Sequence, residues 1–256
     1  MKIIYVILIL IASNGLFAQN TIRFAQINFA QGVNNPASLA YDAKIMTDII
    51  VRNQWFGLDG APTTFALNTQ YEIDADMAVG LNVFHDRIGA EMTTSFTGQY
   101  AYRINLDDYR SVAFGIGLGL DNSTINYIDL ETTTANDPAF GNENYSKLFF
   151  NGSVGVFYNA PKFYIGASIP KLTQNTRGVD GGLRPQLWHY YMSTGLYVGT
   201  KKYTFNPNLQ IKAVMNAPIA ADLILRNTFV NRFSVIVGYR TENSIIAGVD
   251  FLISEF

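Results

Sequence analysis

From Met46 to Ile253, apolar and polar positions alternate with a period of two, the spacing of a half-buried strand. In 46–55, Ile49, Val51 and Trp55 share one parity and Asp48, Arg52 and Gln54 the other. In 203–215, Tyr203, Phe205, Leu209, Ile211 and Met215 alternate with Thr204, Asn206, Asn208, Gln210 and Lys212. The pattern predicts strands over 46–55, 62–73, 76–85, 91–104, 110–121, 146–159, 162–169, 187–199, 202–215, 218–229, 232–240 and 244–253. The greasy parity runs through Phe65, Leu67 and Tyr71, through Val112, Phe114, Ile116, Leu118 and Leu120, and on to Val249, Phe251 and Ile253. Phe84 and Phe157 break it.

The connections sort by side. With the N-terminus on the periplasmic side, that side receives only short links: 73–75, 105–109, 159–161, 199–201 and 230–231. The opposite side receives 56–61, 86–90, 121–145, 170–185, 215–218 and 241–243, including the two longest and least apolar segments. Short turns on one side and long loops on the other are an outer-membrane barrel's signature, which a soluble β-sandwich, though also alternating, has no reason to show. The expectation is therefore all-β: an antiparallel transmembrane outer-membrane β-barrel of about 12 strands, lipid outside and water or polar side chains inside.

Export agrees with this. Residues 1–18 carry Lys2, an apolar run from Ile3 to Ala12, and Leu16-Phe17-Ala18 before Gln19, the layout of a cleavable signal peptide. The run is far shorter than the roughly 20 residues a membrane helix needs. The domain reading is thus signal peptide 1–18, a periplasmic or lumenal segment 19–45, and a barrel 46–256. The chain has no cysteine, which excludes a lipidated N-terminus, thiolate metal sites and disulfides. Charged residues make up 15%, aromatics 14%, and net charge is −2, so no basic nucleic-acid footprint exists. Trp55, Tyr71, Tyr100, Tyr158, Trp188, Tyr190, Tyr191, Tyr197 and Tyr239 lie near strand ends, where aromatic girdles form.

Candidate chemistry is sparse. His85 and His189 are far apart and have no carboxylate or serine at catalytic spacing, so a solvated or interface role is expected. Gly115-x-Gly117-x-Gly119 lies within a strand and is no dinucleotide loop; glycine there lets the sheet curve or another backbone pass close. Asp121-Asn122 with Asn136, Asp137, Asn142, Glu143 and Asn144 lacks calcium-loop spacing and reads as a solvated loop. Asp48, Arg52, Glu91, Gln99 and Arg103 belong inside, either as a selectivity lining or, more simply, as a salt-bridged filling of a narrow barrel. The poorly periodic stretch 19–42 either plugs the lumen or hangs below it.

Specific residues then add a resemblance. Phe29-Ala30-Gln31-Gly32-Val33-Asn34-Asn35-Pro36-Ala37 and Arg52-Asn53-Gln54-Trp55-Phe56-Gly57-Leu58-Asp59-Gly60-Ala61-Pro62 resemble the N-terminal part of the PorP/SprF family of the type IX secretion and gliding machinery of Bacteroidetes. Asp137-Pro138-Ala139-Phe140, Ile169-Pro170-Lys171 and Lys212 through Pro218 follow in order. The motif residues carried over are Asn35, Pro36, Arg52, Asn53, Gln54, Trp55, Gly60, Ala61, Pro62, Asp137, Pro138, Phe140, Pro170 and Lys171. The resemblance implies a cell outer-membrane protein that is not an enzyme and takes no cofactor or metal. It would support secretion or surface attachment of large proteins with C-terminal sorting domains, with outer-membrane lipid and type IX components as partners. Family members usually run one hairpin past Phe256, to about 14 strands, so a chain lacking that hairpin is one expectation. A passive channel for small solutes is the alternative function, and a soluble periplasmic β-sandwich the alternative fold.

Overall fold

The computed structural model describes residues 31–41, 45–127, 144–174, 176–177, 184–185, 187–200, 202–215, 217–230, 232–241 and 244–251. The expected signal peptide, Asp137, Pro138, Phe140 and the terminal Phe256 lie outside them. Two short 3-10 turns, Gln31–Val33 and Pro36–Tyr41, precede the strands. The strands are β1 (Ile45–Asn53), β2 (Thr63–Glu72), β3 (Met77–Ile88), β4 (Glu91–Asn105), β5 (Ser111–Ile125), β6 (Tyr145–Ala160) and β7 (Phe163–Ile169). They continue as β8 (Thr176–Arg177), β9 (Arg184–Pro185), β10 (His189–Leu196), β11 (Val198–Thr200), β12 (Tyr203–Val214), β13 (Ala220–Phe229), β14 (Phe233–Arg240) and β15 (Ser244–Phe251). Strands β8 and β9 pair only with each other. All the others form one antiparallel 13-stranded sheet in chain order, β11 joining β12 beside β10.

The observed parities follow the sequence. In β5 the outward Phe114, Ile116 and Leu118 are exposed while Ser111, Ala113, Gly115, Gly117, Asp121 and Ser123 are buried. The wall is inside out relative to a soluble protein: its exposed face is greasy and its buried face largely small or polar, as a lipid-facing barrel demands, with Ile224, Ile236 and Ile246 of β13–β15 forming a buried apolar cluster. Aromatic rings gather where hydrocarbon would meet headgroups. Tyr203, Phe229, Phe233 and Phe251 stack in sequence across β12–β15 at centroid separations of 5.4, 6.1 and 5.2 Å. Trp188 meets Tyr190 edge-on at the opposite end. Tyr191 is a correction: it takes the inward parity of β10 and is buried, so it does not join a girdle. Phe84 and Phe157 also point inward, where Phe84 packs with Ala66 and Phe157 stacks on Tyr164 at 5.3 Å.

The segment 31–41 reveals how tightly the sheet curls. Val33 packs with Ile50, Ala66 and Phe84 of β1–β3. The turn Pro36–Tyr41 touches β2 through β7. Gln31, Asn34 and Asn35 share a small cavity with Ser168, Tyr191, Ser193 and Gln210 of β7, β10 and β12. Laid flat, β1 to β12 would span roughly 40 Å at about 4.8 Å per strand. A six-residue 3-10 turn is only about 12 Å long, so the sheet wraps around it. Among the described residues β1 and β15 are the two ends of the ladder and do not pair with each other; Arg52 of β1 nevertheless feels the charge of Arg240 on β14.

Two differences from the sequence reading have local causes. The expected strand 187–199 is interrupted at Tyr197, opposite the Asn206–Pro207 step of β12. Pro207 has no N–H for the ladder, and the Asn206 side-chain amide donates to the Leu196 carbonyl at 3.1 Å instead. Strand β5 also runs on to Ile125, so Asp121 is not in a loop.

Candidate functional site

The lumen is organised by Asn35. Pro36 presets φ and lacks an N–H, so the chain turns helical just after Asn35. The Asn35 Oδ1 accepts from the Ala37 N–H at 3.0 Å, and its carbonyl accepts from the Ser38 N–H at 3.1 Å and the Ser38 Oγ at 2.9 Å. Its Nδ2 donates to the Val156 carbonyl at 3.1 Å, fixing the cap to the wall. Two further wall amides clamp the segment: Gln99 Nε2 donates to the Gly32 carbonyl at 2.9 Å, and Asn82 Nδ2 to the Val33 carbonyl at 3.2 Å.

The wall makes room by omitting side chains. A Cβ on Gly115 would lie 2.6 Å from Ala37 Cα and closer still to the Ala37 nitrogen and Pro36 carbonyl carbon. One on Gly155 would overlap the Asn35 side chain. Leu39, 2% exposed, fills the space above Gly80. Of the two reasons for glycine in β5, close passage of another backbone is therefore the one that applies at Gly115.

Above this plug, at the end bearing the long connections, charged side chains line the mouth in opposite-sign pairs. Lys171 Nζ meets Asp121 Oδ2 at 2.5 Å, with the Asp121 side chain 1% exposed. Arg240 donates to both oxygens of Asp222 at 2.9 and 2.8 Å. Arg52 interacts with Asp86, which accepts from Thr64 Oγ1 at 2.8 Å and also feels Glu91. Asp48 does not pair with Arg52; it bonds Asn68, its cross-strand neighbour. His189, expected in a solvated or interface role, is buried beside Lys212 and Lys171. At the other end Arg226 meets Asp250 at 3.0 Å, and Arg103 meets Glu72 at 3.5 Å and donates to the Ala75 carbonyl. Lys171, Arg240, Arg226 and Arg103 each meet a carboxylate, which favours the simpler reading of a salt-bridged wall over a selectivity lining.

The second grouping is the β1–β2 turn. The Gln54 N–H donates to the Pro62 carbonyl at 3.0 Å, Leu58 N–H to Trp55 at 3.1 Å, and Ala61 N–H to Leu58 at 3.1 Å. Gly60 is braced from the next hairpin by the Gly89 N–H at 3.0 Å. Gly57 and Gly60 supply the positive φ this path needs, but so does Trp55, at φ 50°. For a bulky residue that is strained by about 1–3 kcal/mol.

The predicted residues thus fall into two places. Asn35, Pro36, Arg52 and Lys171 face the interior, while Asn53, Gln54, Trp55, Gly60, Ala61 and Pro62 form the turn, with Pro62 buried at its base; Pro170 is the half-buried residue that ends β7 before Lys171. Sequence reasoning missed the roles of Asn82, Asp121, Asp222 and Arg240; only the glycine-lined parity of β5 hinted that something lies against it. Among the described residues no group of three or more His, Asp or Glu side chains could hold a metal.

The family described as type IX secretion system membrane protein PorP/SprF matches residues 16–256. The chain belongs to the PorP/SprF family. None of the curated proteins matches it. Membership makes this barrel a type IX secretion component of the outer membrane, associated with other parts of that system, and the family is not one of enzymes.

Proposed function

We propose that this PorP/SprF barrel acts as an occluded anchor rather than a conduit: it supports secretion or surface attachment of large proteins bearing C-terminal sorting domains without passing them through its lumen. The observation that carries this reading is the lumen filled by residues 31–41 and clamped by Asn35, Asn82 and Gln99. Residues 31–41 occupy the interior that a passing chain would need. In this reading the long connections 126–144 and 170–188 face the cell exterior and touch the client, a rigid wall holding variable loops. The segment before β1 and the short turns face periplasmic partners, and residues 1–18 are the cleaved signal.

The test is gene deletion followed by a census of surface-exposed proteins. Loss of one or more large surface proteins, restored by complementation, is expected; unchanged display and unchanged gliding would reject the proposal. The channel reading draws on the polar inner parity, and predicts steady conductance of the purified protein in a planar bilayer, where the anchor reading predicts a quiet trace.

A further inference from the structure

On the outward parity of the 13-stranded sheet, the described residues include one formally charged side chain, Arg87, and one histidine, His85. They stand two positions apart on the outward face of β3, and both are exposed. The other described charges on these strands take the inward parity, as does the buried Asp86 between them. A charge on a lipid-facing wall is costly at the midplane and tolerated near the interfaces, so its height decides what it meets. The outward row Ile49, Leu67, Val83, Phe96, Leu120 and Phe150 is apolar throughout. In the next row His85, Thr94 and Asn122 join Val51, Phe65 and Leu148. The row after that is Asn53, Thr63, Arg87, Met92, Thr124 and Ser146, where only Met92 is apolar. In the other direction Met77 pairs with Tyr102, an exposed aromatic near the opposite rim. From Met77 to Arg87 is about 33 Å along the strand. At the usual strand tilt that is about 25 Å in height, the thickness of a barrel's apolar band. With Tyr102 at one boundary, Arg87 stands at the other, on the side that carries the long connections.

That height and that direction fix the neighbour. An outward side chain at the edge of the hydrocarbon meets lipid headgroups, whose shared anionic group is phosphate. Among the described residues the Arg87 guanidinium has no ion-pair or hydrogen-bond partner. Its planar fork matches two phosphate oxygens, which a carboxylate-free wall leaves unclaimed. The exposed Thr63 hydroxyl lies directly across the strand pair from Arg87. One row deeper, His85 Nδ1 meets Thr94 Oγ1 at 2.9 Å, which holds the ring beneath the guanidinium. Below them the apolar row through Val83 and Phe96 offers the surface along which the same lipid's acyl chains would lie. A cation above an apolar wall is complementary to a lipid with an anionic head, and to a free anion only in part.

We propose that Arg87, flanked by Thr63 and His85, is a binding site for the phosphate of an anionic lipid headgroup at the outer rim of the barrel. The site follows from placement in the membrane and does not depend on the anchor reading. The test is native mass spectrometry of the barrel in a sugar-headed detergent, which carries no phosphate, with phosphatidylglycerol as the probe. Wild type should bind it, and Arg87→Gln should weaken binding about tenfold or more. Arg87→Lys keeps the charge and loses the fork, so it should fall between the two. Arg110→Gln removes the same charge from the β4–β5 turn at the opposite end and should leave binding unchanged. Heat-dependent gel mobility is the folding control for each variant. Binding indifferent to Arg87→Gln, an equal loss in Arg110→Gln, or a neutral diacylglycerol bound as tightly would each overturn the proposal. Displacement of the lipid by an equal concentration of inorganic phosphate would overturn it too. So would a protein that co-purifies with wild type and is lost with Arg87→Gln.

Discussion

Gly115→Ala probes the plug without touching the barrel's outer face. The added carbon would stand 2.6 Å from Ala37 Cα, whereas carbon pairs rest at about 3.5 Å or more. The opposing atoms are backbone on both sides, so the strain cannot be relieved by a rotamer change. Residues 36–37 must lift about 1 Å from the wall. That displacement weakens the Asn35–Val156, Gln99–Gly32 and Asn82–Val33 hydrogen bonds together. At about 1 kcal/mol each, losing all three sums to about 3 kcal/mol, which raises the lifted fraction roughly 100-fold. The outward neighbours Phe114 and Ile116 keep their pairing to β4 and β6, so the barrel should still fold. Planar-bilayer recording is the assay, with heat-dependent gel mobility as the folding control. Wild-type protein should be quiet; Gly115→Ala should show intermittent openings and Gly115→Val more frequent ones. A folded Gly115→Val barrel as quiet as wild type, or a wild type that conducts steadily, would refute the reasoning.

Other consequences are smaller in scope. Lys171→Ala should destabilise the barrel by about 2–3 kcal/mol, less than a fully buried pair because Lys171 still reaches water. Thermal unfolding should show the loss, and adding Asp121→Leu should recover most of it. Asn206→Ala should cost about 1 kcal/mol by leaving the Leu196 carbonyl without the amide that replaces the missing Pro207 donor, readable as faster amide exchange around β11. In the β4–β5 turn, the backbone N–H of Tyr109 and then the Arg110 guanidinium hold the Asp107 carboxyl below its ordinary range. Its stabilisation is present above the unfolded carboxylate value near ~3.9 and lost as pH falls through the lower folded value. Asp107→Asn should therefore lower stability by a constant amount between about pH 5 and 8, and this deficit should shrink as the wild type loses its own stabilisation in the acid limb. Trp55→Gly should relieve the positive φ and raise stability by up to about 1 kcal/mol, readable as a higher thermal unfolding midpoint.

The barrel was legible because a strand's two faces repeat every second residue and lipid demands that one be apolar. Val112 to Leu120 states this outright, and the side-specific connection lengths added an independent reason. The plug was legible only as one alternative for the poorly periodic stretch 19–42. Residues 31–41 have no period to read, and their position depends on space beneath Gly115 and Gly155 that only the folded wall defines. The mouth pairs were hidden for a related reason: Lys171 and Asp121 lie 50 positions apart, and only the curl of β5 to β7 brings them together. The strand was ended at Asp121 because Asn122 to Thr124 is polar on both parities, although β5 continues to Ile125. Tyr191 misled because its composition suits a girdle while its parity points inward.

The account stands on a wrapped sheet whose interior is occupied by the chain's own residues. Amide hydrogen exchange of the mature protein in lipid nanodiscs tests this most directly. Residues 31–41 should be protected almost as strongly as β4 and β5. Rapid exchange across 31–41 while β4 and β5 stay protected would contradict it.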